Sequence, residues 1–528
     1  MKLDFRTLLL SLAACWILAS QVAEASYSVA PTPTELNVSA FGAVPNDSID
    51  DTAAFQTVAK DVASCTTIKI PPGTYLVDND CFNLDGKTDV VIEGYGAILV
   101  PSADWSGKGG GMFNFTNCSR ITVRGLTIQR NTSLFTGKAM QGLTFDGCDM
   151  LQVENCHFHD CYDGITIRRS KAWKVLRNSF IGTAYSAGKE ANYQLSSHGL
   201  AVYDINSESS SPHGEFSGNY GYLIGNLIYG QGADYCKVTG NSVYSSYDSS
   251  LYLRAKGGII SSNTVVMAGK DGIKNINPEG QKTVISNNII DVSGLVRKDG
   301  GCATNAVGDN FVISGNQITL GSRKEQVISN ANYGICFGGN NYAITGNSIT
   351  GPGHADGQST GVALFWSAYT GKTQSNIVIS GNSLSSMFAG VVIPSDASRV
   401  ASYVSISNNI GKDMGVMVSA GGKTPAANLT DISINNNMGN FSQRAIVLQN
   451  ITRFFLVGNE FRMNSPSYNV VDVSGCADSE IWDNHVWNAK DMAVAYHVSN
   501  SRNIGYRNNY LDSLPLKADK YVAGVISR

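Results

Sequence analysis

Charge is the first property that this chain has little of. Asp, Glu, Lys and Arg make up 15% of its 528 residues, and the formal net charge is −3. Nucleic-acid binders carry a concentrated positive surface, so this composition predicts no nucleic-acid partner. The chain also lacks Ala, Leu, Glu and Lys at helical spacing, which excludes a helical repeat protein. Its cysteines lack the C-x-x-C spacing of zinc sites, so no metal site is evident.

Long apolar runs are confined to the N-terminus. A weakly basic start at residues 1–6 precedes an apolar stretch from Thr7 to Ala19 and a small-x-small site at residues 23–25. This order predicts a secretory signal peptide over residues 1–25, because the apolar stretch is too short for a membrane span. No other run of about 18 apolar residues occurs. We therefore expect a secreted (periplasmic or extracellular) protein with no membrane span.

Cysteine is the next scarce residue. Loss of Cys15 with the signal peptide leaves ten of the 11 cysteines, an even number that suits disulfides in an oxidising compartment. Cys65 with Cys81 is the bridge that we expect. Three others precede an apolar strand at the same phase and are equally interpretable as a buried stack of free thiols: Cys118, Cys148 and Cys236.

What the chain does contain is a repeat with the pattern apolar-x-x-Asn-x-apolar. Its asparagines recur mostly at steps of 22 to 35 residues: Asn178, Asn219, Asn241, Asn263, Asn288, Asn316, Asn347, Asn382, Asn409, Asn437, Asn459, Asn484 and Asn509. Such a period indicates a solenoid in which each repeat buries its apolar face against its neighbours. We expect these asparagines at turns, where Asn tolerates left-handed geometry and its amide bonds along the stack.

The segments between these asparagines are short β-branched runs bounded by Gly, Asn and Asp, as in strands. They predict an all-β, single-stranded parallel β-helix with a short N-terminal capping helix. We divide the chain into the signal peptide, an N-terminal cap with the first coils over 26–100, the β-helix over 101–510 and a C-terminal tail over 511–528. Asp50 or Asp51 caps the predicted helix. Its apolar face comprises Ala54, Phe55, Val58, Ala59 and Val62, which would cover the open end of the solenoid.

The same N-terminal segment resembles a known family. Phe41-Gly42-Ala43 is followed by Asp50-Asp51-Thr52-Ala53-Ala54-Phe55-Gln56 and then by a strand and Pro71-Pro72-Gly73-Thr74-Tyr75. This order is similar to the N-terminal segment of the pectate-lyase superfamily. The resemblance covers about 45 residues closely and implies a right-handed parallel β-helix. It also implies a polysaccharide partner, since the superfamily includes polysaccharide lyases, uronate epimerases, glycoside hydrolases and viral tailspikes.

A second repeat, x-Gly-apolar-x-apolar, alternates with the first and marks strands whose intervening residues point outward. The outward positions and the turn residues before them supply the candidate catalytic residues Asp163, His198, Tyr203, Tyr252, Arg254, Asp271 and Lys274. The candidate substrate-binding residues are Thr166, Arg168, Asp204 and Asp248. The equivalent places in later coils hold Cys336, Ala363, Phe365, Val392 and Met417. The outer face therefore carries reactive side chains in the early coils and mainly unreactive ones in the later coils, which predicts a site in the early coils.

Spacing narrows the chemistry of that site. Asp163 and His198 are expected to be neighbours, whereas Asp163 and Asp271 lie three or four coils apart, roughly 15–19 Å. That separation is too large for a glycosidase pair, which needs about 5–9.5 Å. A hydrolase would instead pair Asp163 with Asp160 or Asp204, or Asp248 with Asp271.

Proton abstraction beside a uronate carboxylate is the alternative chemistry. Arg168, Arg254 and Lys274 would neutralise the carboxylate. The base would be His198, Tyr203 or Tyr252, or a lysine whose pKa neighbouring cations depress.

Motifs of individual family activities are missing. The polygalacturonase tetrad is represented only by Ser197-His198-Gly199, the Asp-Pro-His motif of alginate epimerases is absent, and no triple-Asp calcium set is visible. Ca²⁺ as a cofactor is therefore suggested by family analogy only. We expect an enzyme that acts on a uronate-containing polysaccharide by β-elimination or C5-epimerisation. A glycoside hydrolase, or a non-catalytic glycan-binding or surface-assembly solenoid, is the alternative.

Overall fold

The chain forms a right-handed parallel β-helix, as the sequence predicts. The computed structural model describes residues 34–78, 80–102, 110–130, 140–182, 198–203, 210–277, 279–293, 301–321, 332–365, 373–395, 400–422, 428–464, 469–488, 495–511, 514–515 and 522–523. The predicted signal peptide and Asp204 lie outside these ranges. Each complete coil contributes one strand to each of three stacks, and neighbouring coils pair in parallel.

The first stack forms a sheet of its own. Its strands are Thr34–Asn37, Thr66–Lys69, Thr88–Glu93, Ser119–Arg124, Gln152–Glu154, Lys174–Leu176, Glu215–Ser217, Cys236–Thr239, Gly258–Ser261, Thr283–Ser286, Phe311–Ser314, Tyr342–Thr345, Thr373–Ser380, Val400–Ser407, Asn428–Asn435, Ile451–Val457, Ala477–Trp482 and Arg502–Arg507. The ladder asparagines follow these strands directly.

The second stack follows the asparagine turn. Its strands are Gly73–Val77, Ala97–Pro101, Thr127–Gln129, His157–His159, Ser179–Ile181, Tyr220–Ile224, Ser242–Ser246, Thr264–Ala268, Ile289–Asp291, Gln317–Thr319, Ser348–Thr350, Ser383–Ser385, Glu460–Met463, His485–Trp487 and Tyr510–Leu511. Two long strands, Ile410–Gly421 and Met438–Gln449, continue from the second stack into the third. Leu514–Pro515 pairs antiparallel with Tyr510–Leu511.

The third stack completes each coil. Its strands are Phe82–Asp85, Phe113–Thr116, Gln141–Asp146, Asp163–Arg168, His198–Tyr203, Asn226–Gln231, Leu251–Arg254, Ile273–Asn277, Cys302–Gly308, Tyr333–Gly338, Thr360–Leu364, Ala389–Pro394, Val471–Ser474, Tyr496–Ser499 and Val522–Ala523. A short 3₁₀ helix, His354–Asp356, lies in the turn between Ser348–Thr350 and Thr360–Leu364.

The core consists of columns of like side chains. Alternation along a strand sends every second residue inward, and parallel register aligns equivalent residues of successive coils. Ile285, Ile313 and Ile344 are register partners in the first stack and are fully buried. Phe115 stacks on Phe145 with ring centroids 4.6 Å apart. Each coil therefore buries its apolar residues chiefly against the coils before and after it.

The asparagines form a continuous buried ladder between the first and second stacks. The backbone N–H and the side-chain Nδ2 of Asn288 both donate to Oδ1 of Asn316, at 3.0 and 2.9 Å, and Nδ2 also donates to the Ile260 carbonyl at 3.1 Å. The pattern repeats from Asn178 to Asn509. Each amide thus satisfies backbone groups of its own turn and of the neighbouring coils, which confirms the predicted stacking.

One detail of the ladder differs from the sequence expectation. The ladder asparagines do not adopt left-handed geometry; the residue before each of them does. These residues are Arg177, Gly218, Gly240, Ser262, Asn287, Gly315, Gly346, Gly381, Asn408, Asn436, Gly458, Asp483 and Asn508. A left-handed residue reverses the chain so that the following amide points inward, and Gly, Asn and Asp tolerate that conformation best.

The predicted capping helix is present over Thr52–Asp61, with Ala54, Phe55, Val58 and Ala59 buried. Phe55 packs edge-on against Tyr75, with ring centroids 5.7 Å apart. A 3₁₀ helix, Val38–Phe41, precedes it.

The two candidate capping aspartates of this helix have different partners. Asp50 Oδ1 accepts from the Thr52 N–H at 2.7 Å, whereas Asp51 Oδ1 accepts from the Val44 N–H at 2.9 Å. Asp51 occupies the N-cap position but uses its side chain to fasten the preceding loop, whereas Asp50, one residue earlier, bonds the first N–H of the helix. Burial raises the pKa of Asp51.

The expected Cys65–Cys81 bridge is wrong, because both thiols are free. Cys65 lies in the turn before a first-stack strand, whereas Cys81 precedes a third-stack strand, is fully buried and donates to the Met112 carbonyl at 3.3 Å. The disulfide that the structure contains is Cys302–Cys336, whose Cα atoms are 6.0 Å apart. It joins adjacent third-stack strands.

The predicted thiol stack is present in part. Cys118 and Cys148 are free, buried and at equivalent places in adjacent coils, since the residues beside them pair. A hydrogen bond from the Cys148 thiol lowers the pKa of Cys118 below its usual range. Cys236 is also free and buried but belongs to a first-stack strand that pairs with Gly258, so it lies outside this stack.

The ladder generates a stability prediction. Asn347→Ala removes the amide that bonds Asn316, Asn382 and the Ile313 carbonyl. Because buried polar partners are left unsatisfied, we expect a loss of about 2–5 kcal/mol in the free energy of unfolding. Denaturant titration followed by circular dichroism measures it. The control is Ser348→Ala at the adjacent exposed position. Equal effects of the two substitutions would contradict a stabilising role for the ladder.

Candidate functional site

The outer face of the third stack brings the early candidate residues together. Asp163 pairs in register with His198, which pairs in turn with Asn226. In a second column, Tyr229, Tyr252 and Lys274 occupy equivalent places in consecutive coils. Residues that are 22 to 35 positions apart in sequence are therefore about 4.8 Å apart along the stack.

A carboxylate–imidazole pair lies at the centre of this face. His198 Nδ1 is 2.7 Å from Oδ1 of Asp163, and the Asp163 side chain is fully buried while that of His198 is 12% exposed. A carboxylate only accepts, so this contact assigns a hydrogen to Nδ1; in the neutral imidazole Nε2 is then the acceptor nitrogen. The predicted proximity of these two residues is confirmed.

Tyr203 and Gln141 complete the shell around Asp163. Tyr203 Oη donates to Oδ2 at 3.2 Å, and Gln141 Nε2 donates to the same oxygen at 3.4 Å. Burial raises the pKa of Tyr203, and the negative charge of Asp163 raises it further. Tyr203 is thus a neutral hydrogen-bond donor at physiological pH, which argues against the base role that the sequence left open for it.

Two further tyrosines extend the site along the stack. The Tyr229 ring lies 4.7 Å from the His198 ring and 5.1 Å from the Tyr252 ring, centroid to centroid. Burial raises the pKa of Tyr229; the charge of Asp248 adds to the rise and that of Arg254 opposes it. Asp248 and Arg254 therefore act electrostatically on this part of the site.

The three predicted cations lie at different places along the face. The guanidinium of Arg168 is 5.8 Å from the centroid of the Tyr203 ring, and Lys274 Nζ is 5.2 Å from that of Tyr252. Arg254 is exposed at the end of its strand, in register with Gln231. Cations placed over aromatic faces are held electrostatically by the ring. Positive charge therefore lies at both ends of the group formed by Tyr203, Tyr229 and Tyr252.

Asp271 is a buried carboxylate surrounded by hydrogen-bond donors. Its Oδ1 accepts from the Cys302 N–H at 2.9 Å while its Oδ2 accepts from Ser249 Oγ at 3.3 Å. Lys274 Nζ is 4.0 Å from Oδ2. Burial raises the pKa of Asp271. The carboxylate is enclosed by protein donors and lies beside Lys274.

The remaining predicted residues have mixed outcomes. Thr166 is fully buried, and its hydroxyl has no hydrogen-bond partner among the described residues, so its side chain does not face solvent as predicted. Asp248 is half-buried in the turn before Leu251–Arg254. Asp204 lies outside the described residues. The structure therefore assembles the site around the Asp163–His198 pair.

The distance argument against an Asp163–Asp271 pair also holds. Register places them four coils apart, roughly 19 Å. Asp160 is buried in the turn before Asp163, and its charge acts on Arg130. Asp163 makes its shortest side-chain contact with the His198 imidazole, at 2.7 Å.

The sequence reading of the later coils is wrong in two respects. Met417 is fully buried, because regular pairing with the preceding coil aligns Val392 with Ser419 on the outer face and places Met417 beside Gly390 on the inner side. The later coils also carry reactive side chains on their outer face. Asp472 and His497 form another carboxylate–imidazole pair at 2.9 Å.

Four polar residues beside the site were not predicted from the sequence: Gln141, Tyr229, Gln231 and Asn305. The glycine motif alone does not point to them. The usable signal was strand alternation within the asparagine register, which makes Tyr229 and Gln231 outward residues.

A metal is not supported by the donor set. Within the residues that the structure describes, no three His, Cys, Asp or Glu side chains come together in a way that could hold a metal ion. The Ca²⁺ suggested by family analogy therefore has no matching group of ligands there.

Comparison with known proteins agrees with the fold. The family described as a right handed beta helix region matches residues 62–219, and the resemblance to the pectate-lyase superfamily is confirmed at the level of the fold. A search of curated protein sequences finds no match. No helix in the described ranges is long and apolar enough to cross a membrane.

Several solved structures are similar at low identity. A surface adhesin of Streptococcus pneumoniae is 14% identical, with 83% of this chain and 92% of that chain covered and a TM-score of 0.41. A DFA-IIIase from Arthrobacter chlorophenolicus A6 in complex with DFA-III is 13% identical, with 67% and 95% covered and a TM-score of 0.47. A tailspike of E. coli bacteriophage HK620 in complex with pentasaccharide is 14% identical, with 91% and 78% covered and a TM-score of 0.47.

The raised pKa of Tyr203 is directly measurable. In protein labelled with ¹³C at tyrosine Cζ, we expect the Tyr203 resonance, assigned with Tyr203→Phe, to stay in its neutral form at pH 10.0, the ordinary value for tyrosine. Asp163→Asn should lower the pKa part of the way, because burial remains while the neighbouring charge is lost. A measured pKa of Tyr203 at or below the ordinary tyrosine value would contradict its buried position beside Asp163.

Proposed function

We propose that this protein acts on a uronate-containing polysaccharide by removing the proton next to the uronate carboxylate, which leads to β-elimination or C5-epimerisation. The observation that carries the proposal is the 2.7 Å contact between buried Asp163 and partly exposed His198. A histidine whose Nδ1–H is held by a carboxylate is a suitable general base, because Nε2 is kept as the proton acceptor. The cations around it suit an acidic substrate.

In the proposed reaction, His198 Nε2 takes the C5 proton, and the electron pair of the C–H bond moves into the uronate carboxylate. Arg254 and Lys274 stabilise the added negative charge on the carboxylate oxygens. For elimination, the C4–O4 bond then breaks with formation of a C4=C5 double bond, and protonated His198 gives its proton to O4. For epimerisation, C5 receives a proton from the opposite face and no bond of the chain is broken.

The two branches make different demands on the site. Elimination needs one group that first accepts and then donates a proton, and His198 can do both. Epimerisation needs a second acid on the other side of the sugar, for which the neutral phenols of Tyr203 and Tyr229 are available. Their raised pKa keeps them protonated and thus able to donate hydrogen bonds.

We also propose that the chain is secreted, with residues 1–25 removed as a signal peptide. An extracellular polysaccharide would be accessible only to such a protein. N-terminal sequencing of the mature protein after expression with its own leader tests this: a first residue at Ser26 supports the proposal, and an intact Met1 overturns it.

Substitutions at the proposed base test the chemistry. Purified protein is incubated with alginate, polygalacturonate and neutral glucans, and three readouts are followed: ultraviolet absorbance of unsaturated uronate, reducing ends, and uronate stereochemistry by NMR. We expect His198→Ala to lower kcat by about 10²–10⁴-fold, the usual contribution of a general base. Asp163→Asn should also lower kcat, because the imidazole loses the carboxylate that orients it.

The matched control is His213→Ala, since His213 is an exposed histidine that stacks on Tyr235 away from the third stack. It should leave kcat unchanged. Unsaturated product identifies a lyase, inverted stereochemistry without cleavage an epimerase, and reducing ends without absorbance a hydrolase. Full activity in His198→Ala, or reducing ends alone, would overturn the proposed mechanism. Binding without turnover of any glycan would favour a non-catalytic solenoid.

A further inference from the structure

Tyrosine is concentrated in the coils that hold the candidate site. Of the 23 tyrosines in the chain, eight lie between residues 203 and 252. The site on the third stack uses Tyr203, Tyr229 and Tyr252. Three others, Tyr220, Tyr222 and Tyr244, lie on strands of the second stack in the coils of Tyr229 and Tyr252. The proton-transfer mechanism does not use these three residues.

These residues form an exposed strip on the outer face of the second stack. Tyr222 and Tyr244 are register partners in adjacent coils, and the ring centroids of Tyr220 and Tyr244 are 6.0 Å apart. Met267 and Ile289 are exposed residues on the second-stack strands of the next two coils. Met267 follows Val266, the register partner of Tyr244, and Ile289 shares the column of Tyr220. Exposure runs from 38% at Tyr220 and Tyr244 to 49% at Ile289. We call the five residues the tyrosine strip.

Hydroxyl groups flank the exposed rings. Tyr220 is in register with Ser179 on one side and Ser242 on the other, and Ser242 with Thr264. The strip therefore alternates apolar ring faces with short hydroxyl side chains and carries the phenol groups as well. A sugar ring has the same mixture, with apolar C–H faces and a rim of hydroxyls. Aromatic side chains with a polar tip suit surfaces of that kind.

Cross-strand contact alone is a weaker explanation of the strip. Aromatic pairs on neighbouring strands do stabilise a sheet, but that role is best served by burying the ring faces. Here the rings keep more than a third of their surface exposed. Exposed apolar surface that persists over several coils marks an interaction surface.

We propose that the tyrosine strip is a secondary binding surface for the polysaccharide on which the third-stack site acts, an inference that rests on the proposed function. The argument for this occupant is continuity. The strand of Tyr222 leads through one turn to Tyr229, and the strand of Tyr244 leads through the turn with Asp248 to Tyr252. A polymer held by the strip is thereby kept beside the site.

A second copy of the chain fits the strip less well. Stable protein interfaces use about 20–30 residues on each side, whereas the strip comprises five residues. The five side chains also carry no charge, in contrast to the cations of the site. Binding to the strip should therefore survive salt that weakens the site, because screening acts on charges and not on ring contacts.

The test uses the full mature chain in affinity electrophoresis through gels containing alginate or polygalacturonate, at low and high salt. Tyr222→Ala with Tyr244→Ala should bind about three- to ten-fold more weakly, since each aromatic contact contributes modestly. The loss should persist at high salt. For turnover, KM on the polymer should rise by a similar factor, while kcat and KM on a short oligosaccharide stay unchanged.

The matched control is Tyr95→Ala with Tyr403→Ala, two exposed tyrosines away from the strip. Changing Tyr222 and Tyr244 to Thr repeats the test with residues that favour strands, which separates a binding defect from misfolding. Gel retention of the Tyr222/Tyr244 variant equal to that of the control would contradict glycan binding by the strip. Sedimentation that shows a dimer for the unchanged protein and a monomer for this variant would also contradict it, because the strip would then bind a second copy of the chain. Gel retention is measured without turnover, so the two proposals can fail separately. If the protein shows no activity but its gel retention falls when Tyr222 and Tyr244 are replaced, the proposed mechanism is contradicted and the binding role of the strip is supported.

Discussion

The side-chain amide of asparagine is the group on which this structure depends. At each turn between the first and second stacks the chain reverses sharply inside the solenoid, where water cannot satisfy its backbone groups. The ladder amide donates to a carbonyl of the preceding coil and to the next asparagine, and it accepts from the preceding one. Few side chains both donate and accept in this geometry. Apolar columns can slide, whereas this hydrogen-bonded ladder holds successive coils in one register.

The register between coils determines which side chains of the repeat come together in the candidate site. With the coils aligned, Asp163 and His198 become neighbours across 35 residues, and Tyr229, Tyr252 and Lys274 line up beside them. The same ordering limits the chemistry, because carboxylates four coils apart cannot share one glycosidic bond. Burial then separates the roles of similar groups. Asp163 orients a histidine, Asp271 is enclosed by donors, and Tyr203 is kept neutral.

The sequence was a good guide wherever local patterns act through the repeat. The solenoid, the capping helix and the Asp163–His198 neighbourhood all follow from spacing and alternation. It was a poor guide wherever the pairing between coils differs from what a local motif suggests. The glycine motif at Gly415 suggests that Met417 faces outward, but the register with the preceding coil places Ser419 there and Met417 in the core. The disulfide between Cys302 and Cys336 likewise follows from adjacency in the third stack and not from proximity in sequence.

The amino-acid sequence by itself determined the architecture, because the asparagine period, the β-branched runs and the turn residues act between neighbouring coils and need no distant contact. Only the tertiary structure decided which side chains are chemically paired and which are exposed. Tyr229 illustrates this: strand alternation makes it an outward residue, but only the stacking of coils places its ring 4.7 Å from that of His198. Tyr222 and Tyr244 illustrate the converse, since equally spaced tyrosines on another stack stay open to solvent. Contacts across coils set burial, and burial sets both proton affinity and access to a ligand.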